Sequence, residues 1–162
     1  MKIAFKMKTY NILSIDEFKT NIGNNSRLLG IDPGNKNIGF AICDENKKVS
    51  TPLKILEKKK FETLIKEIRQ IIKENDIKGI VVGNPINMDG TLGKSSQSAT
   101  DFTKKLSINV TIPTAMWDER LSSEASFKIT KELGTNVTNR IDKLDKNAAA
   151  FILQGAIDYL SN

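Results

Sequence analysis

The chain contains no histidine and a single cysteine, Cys43. The first absence excludes Ser-His-Asp triads, Cys-His pairs, His-ligated zinc and histidine general bases. The second excludes an intramolecular disulfide and any Cys-x-x-Cys metal site. Cys43 lies inside an apolar strand and reads as a small core residue. No run approaches the ~18 apolar residues of a membrane span. The opening "MKIAFKMKTYNIL" is interrupted by Lys6 and Lys8 where a signal peptide needs an unbroken apolar stretch. The expected location is therefore the cytoplasm, with no membrane partner. Any hydrolytic chemistry must come from carboxylates, lysines, hydroxyls or a metal ion.

What is present fits a soluble globular protein. A chain of 162 residues is most simply one domain, and 39% hydrophobic with 27% charged residues is ordinary for a folded chain. The formal net charge is +6, with lysine far outnumbering arginine. Such an excess suits a polyanion, nucleic acid being the commonest, although lysines also simply solvate helix faces.

Residues 1–26 read as a polar N-terminal extension, with one helical turn at "IDEFKTNI", ahead of a single domain over 27–162. "RLLGID" reads as a buried strand and "NIGFAICD" as a second, with Ile38, Phe40 and Ile42 alternating to one face. "VSTPLKILE" is a third strand, and Pro52 suits it to an edge. The period then changes: Phe61, Leu64, Ile65, Ile68, Ile71 and Ile72 recur at helical spacing. "KGIVVGNP" reads as a parallel strand covered on both faces. A loop through Asp89-Gly90 leads to a helix from Ser95–Ser96 to Leu106, and "NVTIPTAMWDE" holds the fifth strand. A helix is expected from about Ser122, stopping at Gly134, and a last one from near Asp145, with Ala149, Ile152, Leu153, Ala156, Ile157 and Leu160 on one stripe. The sum is an α/β fold: an antiparallel three-strand meander plus two parallel strands, a five-stranded mixed sheet flanked by helices.

Acids stand where such a fold can gather them. Asp32 ends the first strand and starts the Pro33-Gly34 turn. Asp118 and Glu119 end the fifth strand, and Asp142 and Asp145 open the last helix. Sites in open α/β sheets lie beyond the carboxyl ends of parallel strands. Neighbouring strand residues face opposite ways, so one of Asp118 and Glu119 is a ligand candidate and the other pairs with a neighbour such as Arg120. Asp145 lies four residues before Ala149, on the inward stripe, where an acid needs a partner such as a metal ion. Capping the helix N-terminus is an equal alternative for Asp142 or Asp145. Together the acids suggest a site for Mg²⁺ or Mn²⁺, which take oxygen ligands; two such ions about 4 Å apart can hydrolyse a phosphodiester without histidine.

Two motifs fail on inspection. "GTLGKS" lacks the first phosphate-loop glycine, since position 88 is Met88, and "GIDPGNKNIG" is followed by a strand rather than the helix of a dinucleotide fingerprint. Four blocks, "LLGIDPGNKNIGFAICD", "IVVGNPINMDGTLGKSSQSATDF", "WDERLSS" and "DKLDKNAAAFILQGAIDYL", resemble those of the YqgF family in order and spacing, from about Arg27 onward. That family comprises pre-16S rRNA nucleases related to Holliday junction resolvases. The resemblance implies a ribonuclease H-like fold, a cytoplasmic bacterial protein and metal-dependent cleavage, with Mg²⁺ or Mn²⁺, at the 5′ end of pre-16S rRNA. Pre-16S rRNA or a ribosomal particle is the implied partner, and the protein itself is expected as a monomer or weak homodimer. Carried over by position, Asp32, Glu119 and Asp145 are the catalytic and metal-binding acids. Lys36, Asn84, Asp89 and Arg120 are the implied substrate contacts, with an architectural role slightly favoured for the Asn84–Gly90 loop. The chain departs from the family at Asn37, where a basic residue is usual, and at Pro33, where a small or aliphatic one is usual. Holliday junction resolution and a non-catalytic RNA-binding module are the alternatives. The actin-like ATPases and sugar kinases need two such domains, more than 162 residues allow.

Overall fold

The computed structural model describes residues 11–121 and 140–161, apart from the side chains of 140–146. Its elements are β1 (Ile12–Leu13), α1 (Ile15–Asn21), β2 (Arg27–Pro33), β3 (Asn37–Cys43), β4 (Ser50–Glu57), α2 (Phe61–Glu74), β5 (Ile77–Asn84), α3 (Lys94–Asn109), β6 (Thr114–Asp118), a 3-10 turn (Glu119–Leu121) and α4 (Arg140–Leu160). The strands form one sheet in the order β1-β6-β5-β2-β3-β4. β2, β3 and β4 are the antiparallel meander, while β1, β6, β5 and β2 run parallel to one another.

The sheet therefore has six strands, not five. The sixth comes from the extension: Ile12 and Leu13 pair with Thr114 and Ala115 and cover the edge that β6 would otherwise leave bare. Two residues are too few to show alternation in a sequence. The helix beside it is seven residues rather than one turn. Its signature is an N-cap, in which Ser14 Oγ accepts from Glu17 N at 3.1 Å and donates to Glu17 Oε1 at 2.9 Å. Phe18 of this helix is fully buried against the sheet. Gly79 makes room for it, since a Cβ there would stand 2.7 Å from Phe18 Cζ.

Alternation along the strands divides the core into two layers. Leu29, Ile31, Ile38, Phe40, Ile80 and Val82 face α2 and α3. Leu28, Ala41, Val81, Ala115 and Trp117 face α1 and α4. All six residues of the expected α4 stripe are buried. Cys43 is buried too, at 2% exposure, and burial raises its thiol pKa. Pro52 does sit on an edge strand. The pairing slips beside it, Phe40 opposing Lys54 and Ala41 opposing Pro52, which leaves Leu53 as a bulge.

Two helix boundaries differ from expectation. α3 runs from Lys94 to Asn109, longer at both ends. α4 begins at Arg140 rather than near Asp145, so Asp145 lies inside the helix rather than at its cap. The helix expected from Ser122 to Gly134 lies outside the described residues. Among the described residues, no helix is long and apolar enough to cross a membrane.

Candidate active site at the carboxyl edge of the sheet

The parallel strands β2, β5 and β6 all end at the same sheet edge. Ile31 is level with Val82, and Gly83 with Trp117. Asp32 is thus one step beyond a three-strand row, and Glu119 follows β6, two strands away, two residues after Trp117. Trp117 belongs to the α4 side, and alternation carries Glu119 to that same side. Leu28 and Gly30 also face α4, so Asp32, the next in that series, turns toward it as well.

Gly83, between them on β5, lets the two acids approach across the sheet. A Cβ on Gly83 would stand 2.8 Å from Glu119 Oε1 and would overlap Ile152 of α4. A glycine inside the apolar run "GIVVGN" marks this kind of close approach, and that signal was available in the sequence although Gly83 was not among the expected site residues. The turn after Asp32 is held by Gly34 N donating to Asp32 O at 3.0 Å. Only glycine fits there, because a Cβ would meet Asn37 O at 2.5 Å.

The electrostatics mark Asp32 and Glu119 as neighbours. Burial, then the negative charge of Asp32, then that of Asp118, push the Glu119 carboxyl up to about 7. Asp118 turns to the other side of the strand. Its Oδ1 accepts from Arg120 Nε at 3.0 Å and from Arg120 N at 3.0 Å, and its Oδ2 from Arg120 Nη2 at 2.8 Å. The Arg120 hydrogen bonds hold the Asp118 carboxyl below the usual carboxylate range. Of the two adjacent acids, Glu119 faces Asp32 and Asp118 is engaged by Arg120.

α4 descends from this edge. Ala149 and Leu153 pack on Gly30, and further along Gln154 Oε1 accepts from Ser50 N at 2.9 Å, near the opposite edge. Gln154 Nε2 also donates to Lys48 O at 3.0 Å, locking the helix to β4. This direction places the backbone of Asp145 one turn, about 6 Å, beyond Ala149 toward the Asp32 end. Its side chain lies outside the described residues. Among the described residues no group of three or more His, Cys, Asp or Glu is assembled to hold a metal. The donors that do converge, two carboxylates with no nitrogen or sulfur ligand, suit a hard divalent cation. A cation between them would also offset the repulsion that raises Glu119.

The expected substrate contacts surround this edge without forming one cluster. Lys36 is exposed on the β2–β3 turn, where its carbonyl accepts from Lys58 N at 2.8 Å. Asn84 Oδ1 accepts from Ser96 Oγ at 2.7 Å, tying β5 to α3. Asp89 shapes its own loop: Oδ1 accepts from Thr91 N at 2.9 Å and Thr91 Oγ1 at 2.6 Å, and these bonds lower its pKa. Gly90 takes φ +87°, and the Arg120 guanidinium lies alongside it. These hydrogen bonds tie Asn84 at the end of β5 to α3 and shape the turn at Asp89.

Comparison with known proteins adds the family. A model described as "RuvX: Holliday junction resolvase" matches residues 26–159. A protein of Pelagibacter ubique named "Putative pre-16S rRNA nuclease" is 47% identical over 151 residues, covering 93% of this chain and 100% of that protein. A Ruegeria pomeroyi protein of the same name is 40% identical, covering 92% and 97%. A structure of T. thermophilus RuvC in complex with Holliday junction substrate superimposes with a TM-score of 0.55 at 12% identity, covering 85% of this chain and 96% of that one. That likeness concerns the fold, which is ribonuclease H-like. With matches of this extent, the chain belongs to the RuvX family, the pre-16S rRNA nuclease relatives that its sequence blocks resemble.

Proposed function

We propose that this protein is a divalent-metal-dependent nuclease that hydrolyses a phosphodiester bond at the 5′ end of pre-16S rRNA during ribosome assembly in the cytoplasm. The observation that carries this reading is the facing pair Asp32 and Glu119 across Gly83, at the carboxyl edge of the parallel strands. The names of the relatives supply the substrate class. Asp32 and Glu119 would hold Mg²⁺ or Mn²⁺, with Asp145 as the third ligand from α4. A bound divalent cation supplies an activated water and neutralises charge on the phosphate.

The chain's own residues do the rest. The Pro33-Gly34 turn fixes where the Asp32 carboxylate points. Gly83 keeps a lane open for Glu119. Asp118 holds the Arg120 guanidinium beside the Asp89–Gly90 loop, where its remaining N–H groups can meet a phosphate. Lys36 supplies a second positive charge at the turn. The working unit is a monomer or weak homodimer acting on RNA or a pre-ribosomal particle.

Asp32→Asn and Glu119→Gln are each expected to lower cleavage of a pre-16S leader RNA in Mg²⁺ by at least ~10²-fold, while melting within a few degrees of the native protein. Native rates in both variants would remove the assignment. The RuvC fold likeness favours one second reading, resolution of branched DNA, and competition between the leader RNA and a four-way DNA junction separates the two.

A further inference from the structure

On the face opposite Glu119, a groove of about 510 Å³ opens at the same sheet edge, between α2 and α3. Pro33 and Gly34, the turn that follows Asp32, form one end of it, and Ile38 and Leu64 form part of its floor. Phe61 and Phe102 line it as an edge-on pair, with ring centroids 6.5 Å apart and planes at 77°. Lys58, Lys59, Lys94 and Lys105 line it against one acid, Asp101. Asp101 is already engaged, its Oδ1 accepting from Gln97 Nε2 at 3.0 Å. Among the described residues only Lys59 of the four lysines has a carboxylate partner, Glu67 at 3.8 Å. Lys105 Nζ lies 5.9 Å from the centre of the Phe61 ring.

Two helices also begin beside this groove, and neither has a side-chain cap on its first turn: α2 starts after Lys60 and α3 after Gly93. The first turn of α3 has no acid and begins instead with Lys94, whereas that of α2 carries Glu62, so α3 is the more favourable of the two for an anion. Uncapped N–H groups and lysines together make an anion-favouring wall. Aromatic side chains below a basic rim are the pattern of single-stranded nucleic acid grooves, where bases stack and phosphates meet lysines.

We infer that this groove binds a single-stranded segment of the RNA substrate flanking the scissile bond, the strand crossing the sheet edge at the Pro33-Gly34 turn. The inference rests on the nuclease reading and adds to it a binding track separate from the carboxylates. Phe61 and Phe102 can stack on a base face only where the base is unpaired, so the segment that enters is single-stranded.

The test is fluorescence anisotropy with a labelled single-stranded RNA of about 12 nucleotides, in EDTA so that cleavage plays no part, across a salt series. The combined variant Lys58→Gln, Lys94→Gln, Lys105→Gln is expected to bind roughly tenfold or more weakly, with the log–log salt slope reduced by about 2, because each lost phosphate contact removes ~0.7. Replacing the same three lysines by arginine should retain binding. An equal charge change at the opposite edge, Lys48→Gln, Lys73→Gln, Lys78→Gln, controls for net charge. Affinity and slope like the native protein's in the groove variant, or an equal loss in the control, would overturn the inference. So would preference for duplex over single strand. Those results leave the nuclease reading standing, since that reading falls only if Asp32→Asn and Glu119→Gln keep cleaving.

Discussion

Glu119 is held where burial and two neighbouring acids oppose its ionisation, and this sets a pH dependence. Its carboxyl is raised from 4.5 to about 7 in the folded protein. The unfolded chain therefore gives up this proton at lower pH than the folded one does. Without divalent cation, the Glu119 contribution to stability should be fully present below about 4.5 and be lost as pH rises toward 7. Urea denaturation in EDTA between those limits checks the sign, and Glu119→Gln should flatten the fall. A stability that rises through this window with a slope unchanged by Glu119→Gln would mean the carboxyl is not held this way. The two acids of "WDER" also show how far residue-level reading goes. Alternation dictates that they separate, but which one faces Asp32 depends on the Arg120 fork, which closes on Asp118 at 2.8 Å. Gly83 was legible as an oddity in an apolar strand, whereas its purpose needed Ile152 and Glu119, both remote in sequence.

At the scale of elements, β3 and α2 follow from apolar positions recurring at 2.0 or 3.6 residues, and β2 and β5 from short continuous apolar runs buried on both faces. The extension does not. Its helix fully buries one large residue, Phe18, with Ile15 and Ile22 half-buried beside it, so the short apolar stripe of "IDEFKTNI" shows a helical turn but not the length of the helix, whose start is marked by the Ser14 cap. The early start of α4 is hidden for a related reason: "RIDKLDK" is mostly charged, and the apolar stripe begins only at Ala149. The burial of Phe18 makes α1 part of the core. Phe18→Ala should cost about 3–5 kcal/mol in urea denaturation, as for other buried phenylalanines. A loss under 1 kcal/mol would show that α1 docks without contributing to stability.

At the scale of the whole molecule, the fold turns one edge of the sheet into a chemical surface. β2, β5 and β6 deliver Asp32, Gly83 and Glu119 there, and the two helix layers place α4 behind the acids and the lysine-lined groove on the other side. The +6 charge read from composition thus gains a location in part, although a count of lysines could not say that several line one groove. The absence of histidine, visible at once, directs attention to carboxylates. If Asp32 and Glu119 form a cation site, anomalous scattering from crystals soaked in Mn²⁺ will show it. A peak is expected about 2.1 Å from a carboxylate oxygen of each residue, lost in Glu119→Gln crystals soaked identically. A native crystal at saturating Mn²⁺ with no peak between these two residues would contradict the assignment.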